Sequence, residues 1–285
     1  MTPFDIAQSL MRRALVARGV KASVSRVGGL DVHHYWARGT GYRTPLLLVH
    51  GLGGSANGFA RVLNPLAKHF QSVHAFDFPG SGFSPVPESG PLGLDGHLEV
   101  LKAYVQNVIG EPTFVVGNSL GAAFCFQLAH DAPGAVKALA LVSPAGGKVS
   151  EARQRALLET MKVGSVKEAR AITRRLFHKP PLAALLLASE LRRMYCTPTV
   201  LKLVAESGDR LFLAPELLAG LTVPILLLWG ASEKLLPYEG VEHFRAHLPP
   251  TAQVEVVPGF GHVPQMEYPH RLVARLAAFA ASQRL

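Results

Sequence analysis

Thr113-Phe114-Val115-Val116-Gly117-Asn118-Ser119-Leu120-Gly121-Ala122-Ala123-Phe124 is the stretch of this 285-residue chain from which its fold is read. The apolar run Thr113–Val116 reads as a strand buried on both faces. Ala122–His130 reads as a helix. Between them lies a G-x-S-x-G run, Gly117 to Gly121, in which a serine sits on a sharp strand-to-helix turn. A serine so placed has its hydroxyl exposed near a helix N-terminus, where backbone N–H groups favour developing negative charge. The flanking glycines suit a turn whose neighbouring backbones come too close for side chains.

The same alternation extends outward in both directions. Further strands are expected at Leu46–His50, Val73–Asp77, Val136–Ser143, Ile225–Trp229 and Gln253–Val257, runs rich in Val, Leu, Ile and Phe and read as buried on both faces. Ser23–Val27 and Val32–Ala37 read as an antiparallel hairpin joined near Gly28-Gly29. Helices are expected at Gly58–Phe70, Leu94–Ile109, Gly240–His247 and Pro269–Ser282. The pattern is that of an α/β protein with a mainly parallel sheet. One connection breaks it. About 80 residues separate Val136–Ser143 from Ile225–Trp229, far more than a simple crossover uses. Helical signals at Ser150–Met161, Ser165–Phe177 and Pro181–Met194 make it an inserted helical segment, roughly Ala145–Thr222.

Five motifs follow one another along the chain: His50-Gly51-Leu52-Gly53-Gly54, Asp77-Phe78-Pro79-Gly80-Ser81-Gly82, the G-x-S-x-G run, Trp229-Gly230-Ala231-Ser232-Glu233 and Gly261-His262-Val263-Pro264. In this order they resemble the α/β-hydrolase superfamily, and within it the capped bacterial serine esterases and lipases, with some likeness to the meta-cleavage C–C hydrolases. The resemblance implies an eight-stranded, mainly parallel sheet flanked by helices. Residues 1–144 and 223–285 would form the core, and 145–222 an inserted helical cap.

Ser119 is a poor nucleophile at its own pKa and needs a base within reach. The resemblance puts His262, directly after the last strand, in that role. A carboxylate must orient the imidazole and stabilise its positive charge. The loop after the post-insertion strand offers Glu233 where relatives most often carry aspartate, so the loop must accommodate one extra methylene. Asp209 is a distant second candidate. The oxyanion donors implied are the backbone N–H groups of Leu120 and Leu52, with Gly53 the alternative to Leu52. His50 is expected to brace its loop, and the Asp77 turn to be structural. His33-His34 point to opposite faces of a strand and cannot share one metal ion. Gly51–Gly54 is too short for a phosphate loop. No cofactor and no metal is implied.

The chemistry expected is hydrolysis of a small-molecule carboxylic ester through an acyl-enzyme. C–C bond hydrolysis of a vinylogous diketo acid is the enzymatic alternative, although the usual glycine- and proline-bearing oxyanion loop is absent. A non-catalytic ligand receptor is the alternative from another class. An apolar pocket roofed by the Leu182–Leu187 stretch would favour short-to-medium acyl chains.

Composition narrows the partners. Apolar residues make up 48% and charged residues 17%, as in a packed globular chain. The net charge is +9, and Lys148–Glu206 alone holds 12 Lys/Arg against 5 Asp/Glu. Weak attraction to an anionic membrane surface fits that asymmetry; without interleaved aromatics or a motif, nucleic acid does not. Two cysteines, Cys125 and Cys196, form no disulfide framework. No apolar run reaches the ~18–20 residues of a membrane span. Phe4–Ala17 reads as an amphipathic helix packed on the domain or lying on a membrane, without a signal-peptide pattern, and the lack of a disulfide framework leads to the expectation of a reduced, cytoplasmic setting.

Overall fold

The computed structural model describes residues 2–41 and 43–285. Helix α1 (Pro3–Ala17) precedes strands β1 (Lys21–Val27), β2 (Leu30–Arg38) and β3 (Leu46–Val49). Helix α2 (Leu63–Ala67) leads to β4 (Ser72–Phe76), α3 (Leu94–Tyr104) to β5 (Thr113–Asn118), and α4 (Leu120–Asp131) to β6 (Val136–Val142). Then come α5 (Glu151–Met161), α6 (Val166–Leu176), α7 (Leu182–Leu186), α8 (Ala188–Tyr195), α9 (Pro198–Glu206) and α10 (Pro215–Ala219). Strand β7 (Ile225–Gly230), α11 (Glu239–His247), β8 (Gln253–Val257), α12 (Pro264–Glu267) and α13 (Pro269–Ser282) complete the chain.

The eight strands form one sheet in the order β1-β2-β4-β3-β5-β6-β7-β8. Strand β2 is antiparallel to β1 and β4, and every pairing from β4 to β8 is parallel. The sheet is apolar on both faces because both are covered. On one side Leu101, Tyr104, Phe126 and Phe244 pack on Leu47, Val115 and Leu227. On the other, Leu63, Phe70, Leu276 and Phe279 pack on Leu48, Phe114 and Leu228. Each such side chain contributes ~1.5–3 kcal/mol when fully buried.

Local chemistry reshapes three of the expected helices. Gly58–Phe70 is a 3₁₀ turn, Ala56–Phe59, followed by the short α2. Pro65 has no N–H to give the carbonyl four residues back, so a helix through Pro65 can only start just before it. Leu94–Ile109 is α3 followed by one wider turn, Val105–Ile109, which ends at Gly110 with φ 77°. Pro181–Met194 is two helices meeting at Leu187 (φ −87°, ψ 18°). That bend lets Ala188 and Tyr195 face inward while Leu182 and Leu186 stay 71% and 68% exposed.

The inserted helices gather a small core of their own, with Met161, Ile172, Ala188, Tyr195 and Val200 packed around Leu235 from the loop after β7. Parallel strands β3, β5, β7 and β8 end on one edge, so the residues that follow them converge there. Convergence is tight. A Cβ on Gly121 would lie 2.4 Å from the His50 carbonyl oxygen and 2.5 Å from that of Val49. Gly121→Ala should therefore lower stability by about 1–3 kcal/mol or more. Gly134→Ala, whose Cβ meets nothing within 4 Å, should change it by no more than ~0.5 kcal/mol. Chemical denaturation compares the two, and equal midpoints would refute the close approach.

Candidate active site

Ser119 occupies φ 56°, ψ −121°, a backbone conformation rare for a residue with a side chain. Such a conformation costs on the order of 1–3 kcal/mol and persists only where its surroundings enforce it. Here the Ser119 N–H donates to Val142 O at 3.0 Å, and its carbonyl accepts from Ala122, Ala123 and Ala145 N–H. The hydroxyl, on a half-buried residue, is thereby presented at the sheet edge.

His262 lies five residues after β8 and is 3% exposed. Its Nδ1 is 2.7 Å from Glu233 Oε2, and the two side chains are 4% and 2% exposed. A carboxylate only accepts, so Nδ1 carries the hydrogen and Nε2 is the ring nitrogen turned away from Glu233. The extra methylene of glutamate is absorbed by its own loop: Oε1 accepts from the N–H groups of Leu235 at 2.7 Å and Leu236 at 3.1 Å. Burial pushes the Glu233 pKa up, but the His262 charge and hydrogen bond and those two N–H groups outweigh it and hold it below the usual glutamate value. A depressed pKa means that ionised Glu233 contributes stability at neutral pH, which is lost as pH falls through the lowered value.

Two buried amides tie this pair to the serine turn. Asn118 Nδ2 donates to Val142 O at 3.0 Å and His262 O at 2.9 Å, and Gln265 Nε2 donates to Asn118 Oδ1 at 3.0 Å. The Ser119 hydroxyl itself makes no hydrogen bond with a described residue, so His262 and Glu233 are joined while the Ser119–His262 bond stays open. Catalytic hydrogen bonds are often loose before substrate arrives.

The loop after β3 packs against the serine turn. A Cβ on Gly51 would lie 2.9 Å from Asn118 O and 3.5 Å from Leu120 N. Gly54 N–H closes a turn to Gly51 O at 3.0 Å, and Gly53 has φ 65°. Among the described residues the backbone N–H groups of Leu52 and Leu120 have no protein acceptor. His50 is spent as a brace: its Nδ1–H donates to Gly51 O at 2.9 Å and its Nε2 accepts from Phe78 N–H at 3.2 Å. Burial lowers its pKa, so it is neutral. Asp77 organises the neighbouring turn by accepting from Ala56 N–H, Phe83 N–H and His33 Nδ1 at 2.6, 3.0 and 2.8 Å. His34 faces the other way, bonded to Ser25 and Tyr104.

Several contributors carry no sequence signal of their own. His178, in the loop between α6 and α7, places Nδ1 2.6 Å from Ser232 Oγ, beside Glu233. Glu267 on α12 accepts the N–H groups of His178 and Lys179 at 2.8 and 2.9 Å, and His262 N–H donates to Leu176 O at 2.9 Å. Asp209 is exposed and accepts from Gln154 at 3.2 Å, away from His262. A cavity of about 10 Å³ beside the serine turn is lined by Leu52, Phe78, Leu120, Phe124, Val200 and Leu203, and by His97. The expectation that Leu182–Leu187 roofs it is corrected, because exposed Leu182 and Leu186 face solvent and α9 supplies the apolar wall. A larger groove of about 310 Å³, between α3, α4 and Arg210–Leu213, holds none of the candidate residues.

The chain matches the Hydrolase_4 family, described as serine aminopeptidase, S33, over residues 42–268. It is 30% identical over 253 residues to a dihydrolipoyllysine-residue acetyltransferase component of the acetoin cleaving system from Cupriavidus necator, covering 85% of this chain but only 64% of that relative's length. It is 29% identical over 254 residues to a pimeloyl-[acyl-carrier protein] methyl ester esterase from Xanthomonas oryzae pv. oryzae, covering 85% of this chain and 97% of the relative. Naproxen esterase (carboxylesterase NP) from Bacillus subtilis superposes with a TM-score of 0.78 at 18% identity, over 98% of this chain and 99% of its own.

If Glu233 supports His262, Glu233→Gln should cut hydrolytic turnover by up to ~10⁴-fold. Asp209→Asn should leave it near the parental rate. Steady-state assays on the two variants decide this, and a near-parental Glu233→Gln would move the acid elsewhere.

Proposed function

The chain belongs to the Hydrolase_4 family (serine aminopeptidase, S33), and from that premise we propose a serine esterase that cleaves uncharged carboxylic esters through an acyl-enzyme. It is an α/β-hydrolase, and its activity is of the esterase or lipase type. The observation that carries the finer reading is the buried His262–Glu233 pair, 2.7 Å apart, held by Asn118 next to a strained Ser119.

In this mechanism Ser119 Oγ attacks the ester carbonyl carbon while His262 Nε2 takes its proton. Glu233 stabilises the imidazolium, and the N–H groups of Leu52 and Leu120 receive the carbonyl oxygen as it becomes negative. The tetrahedral adduct collapses, the C–O bond breaks, and the alcohol leaves with the proton from His262. Water, deprotonated by the same nitrogen, then attacks the acyl-serine and restores the Ser119 hydroxyl with release of the acid. Residues 145–222 act as a cap in this reading: Tyr195 covers Gly53, with its Cε1 3.6 Å from a Cβ built there, and Val200 and Leu203 close the pocket. The Xanthomonas relative's name specifies a methyl ester on an acyl-carrier protein, and the ester bond is the element we carry over.

Ser119→Ala should lose several orders of magnitude in rate while keeping the fold, and should no longer take a fluorophosphonate label. Retention of more than a few per cent of activity would mean that another group attacks. An apolar lining also sets chain-length preference. With α9 displaced to admit the acyl chain, each added methylene is worth up to ~0.8 kcal/mol until the space is full. Nitrophenyl esters should therefore improve beyond acetate; a specificity constant falling steadily from acetate to hexanoate would contradict an apolar acyl site.

A further inference from the structure

His97, on α3, is 1% exposed and lines the cavity beside the serine turn. Its Nδ1 lies 2.8 Å from Gly93 O. A carbonyl only accepts, so Nδ1 carries the hydrogen and Nε2 is a bare acceptor. That Nε2 is buried and has no partner among the described residues. Burial lowers the His97 pKa to about 4, so the ring is neutral at physiological pH. It lies flat on Phe124, with centroids 6.0 Å apart and planes 10° apart, and tilts across Phe78 at 4.9 Å.

Phenylalanine or leucine would fill such a slot without stranding an acceptor, and buried polar groups in native proteins are generally bonded. Three other buried histidines follow that rule. His34, His50 and His74 each use both ring nitrogens. His33 also leaves Nε2 unpartnered, but its ring packs between Tyr35 and Phe83 and does not line this cavity. His97 alone among these rings combines an unmet acceptor with a place in the lining of this cavity.

We propose that His97 Nε2 accepts a hydrogen bond from a hydroxyl on the substrate's acyl chain, so that the pocket selects hydroxyacyl esters over plain acyl esters. This rests on the esterase reading above. The acyl chain is the part concerned because the leaving alcohol must be protonated by His262, which does not line this cavity, whereas Leu52 and Leu120 do. Phe124 lies one turn beyond Leu120 on α4, so its stacked imidazole stands a few carbons from the carbonyl. The donor has to be small and uncharged. A carboxylate would set lone pairs against Nε2, and an ammonium would be buried among aromatic rings.

The test compares nitrophenyl esters of butyrate, 3-hydroxybutyrate and 4-hydroxybutyrate on the parent, His97→Leu and His97→Gln. In the parent, one hydroxy ester should exceed butyrate in kcat/KM by about tenfold or more, since a site built for a hydroxyl discriminates against its absence. His97→Leu should bring that ratio to about one or below. His97→Gln, which can again present an acceptor, should restore part of it. Fluorophosphonate labelling of Ser119 reports whether each variant is folded. A ratio blind to the hydroxyl in the parent, or unchanged in His97→Leu, overturns the inference while leaving the esterase reading standing. No turnover of any ester by a parent that labels at Ser119 overturns both.

Discussion

The backbone of one residue constrains the site. Ser119 is held at positive φ because β5 ends in a turn that α4 must leave at once, beneath the exit of β3. Two glycines make this possible from opposite sides. A Cβ on Gly117 would lie 2.4 Å from Ala122 Cα, and one on Gly121 would meet the His50 carbonyl. The same closeness that forbids side chains at these positions brings the loop after β3 against the N-terminus of α4. The two N–H groups without protein acceptors, on Leu52 and Leu120, thus follow from the packing that strains the serine.

Glutamate in place of the commoner aspartate is accommodated by a division of labour within one carboxylate. Oε2 meets His262, while Oε1 folds back onto Leu235 and Leu236 N–H. A longer side chain would otherwise lose more rotamer freedom and aim less well, but three hydrogen bonds fix it at the distance the imidazole needs. Leu235 is itself buried among Met161, Ile172 and Tyr195 of the inserted helices. The Glu233 loop is thereby packed against the insertion that follows β6.

Local signals explain what could be read before the structure. Strands β3 to β8 are short apolar runs bounded by glycine and proline, and the serine turn sits between a strand and a helix that each declare themselves. Contacts across long sequence separations had no such signal. His178 reaches Ser232 across 54 positions, and Asn118 reaches Gln265 across 147. Leu182–Leu187 misled because uniform hydrophobicity states no direction. A five-residue helix can bury one side only, and α7 leaves Leu182 and Leu186 in solvent. The pocket wall comes instead from α9, whose Val200 and Leu203 are three apart on one helical face, a spacing too short to stand out. His97 resembled any other histidine on a helix until its second nitrogen could be seen to lack a partner.

These contacts bear on how a pocket with room for one water could admit an ester. The end of α6 and the loop after it are fastened at several points around Glu233 and His262: Leu176 O takes the His262 N–H, His178 Nδ1 meets Ser232, and Glu267 on α12 takes the His178 and Lys179 N–H groups. Moving that loop would pull on Glu233 and His262 together. The α8–α9 side is held differently. Val200 and Leu203 face the cavity through apolar side chains, and the side-chain hydrogen bond that ties α9 to α3 lies at its far end, where Glu206 Oε2 accepts the Leu94 N–H at 2.8 Å. Thr199 Oγ1, buried on α9 without a partner, has no bond to lose when that helix shifts. A shift of the first turns of α9 about the Glu206 anchor therefore widens the space in front of His97 without breaking a hydrogen bond to the Glu233 or His262 loops, while Val200 slides on Leu235.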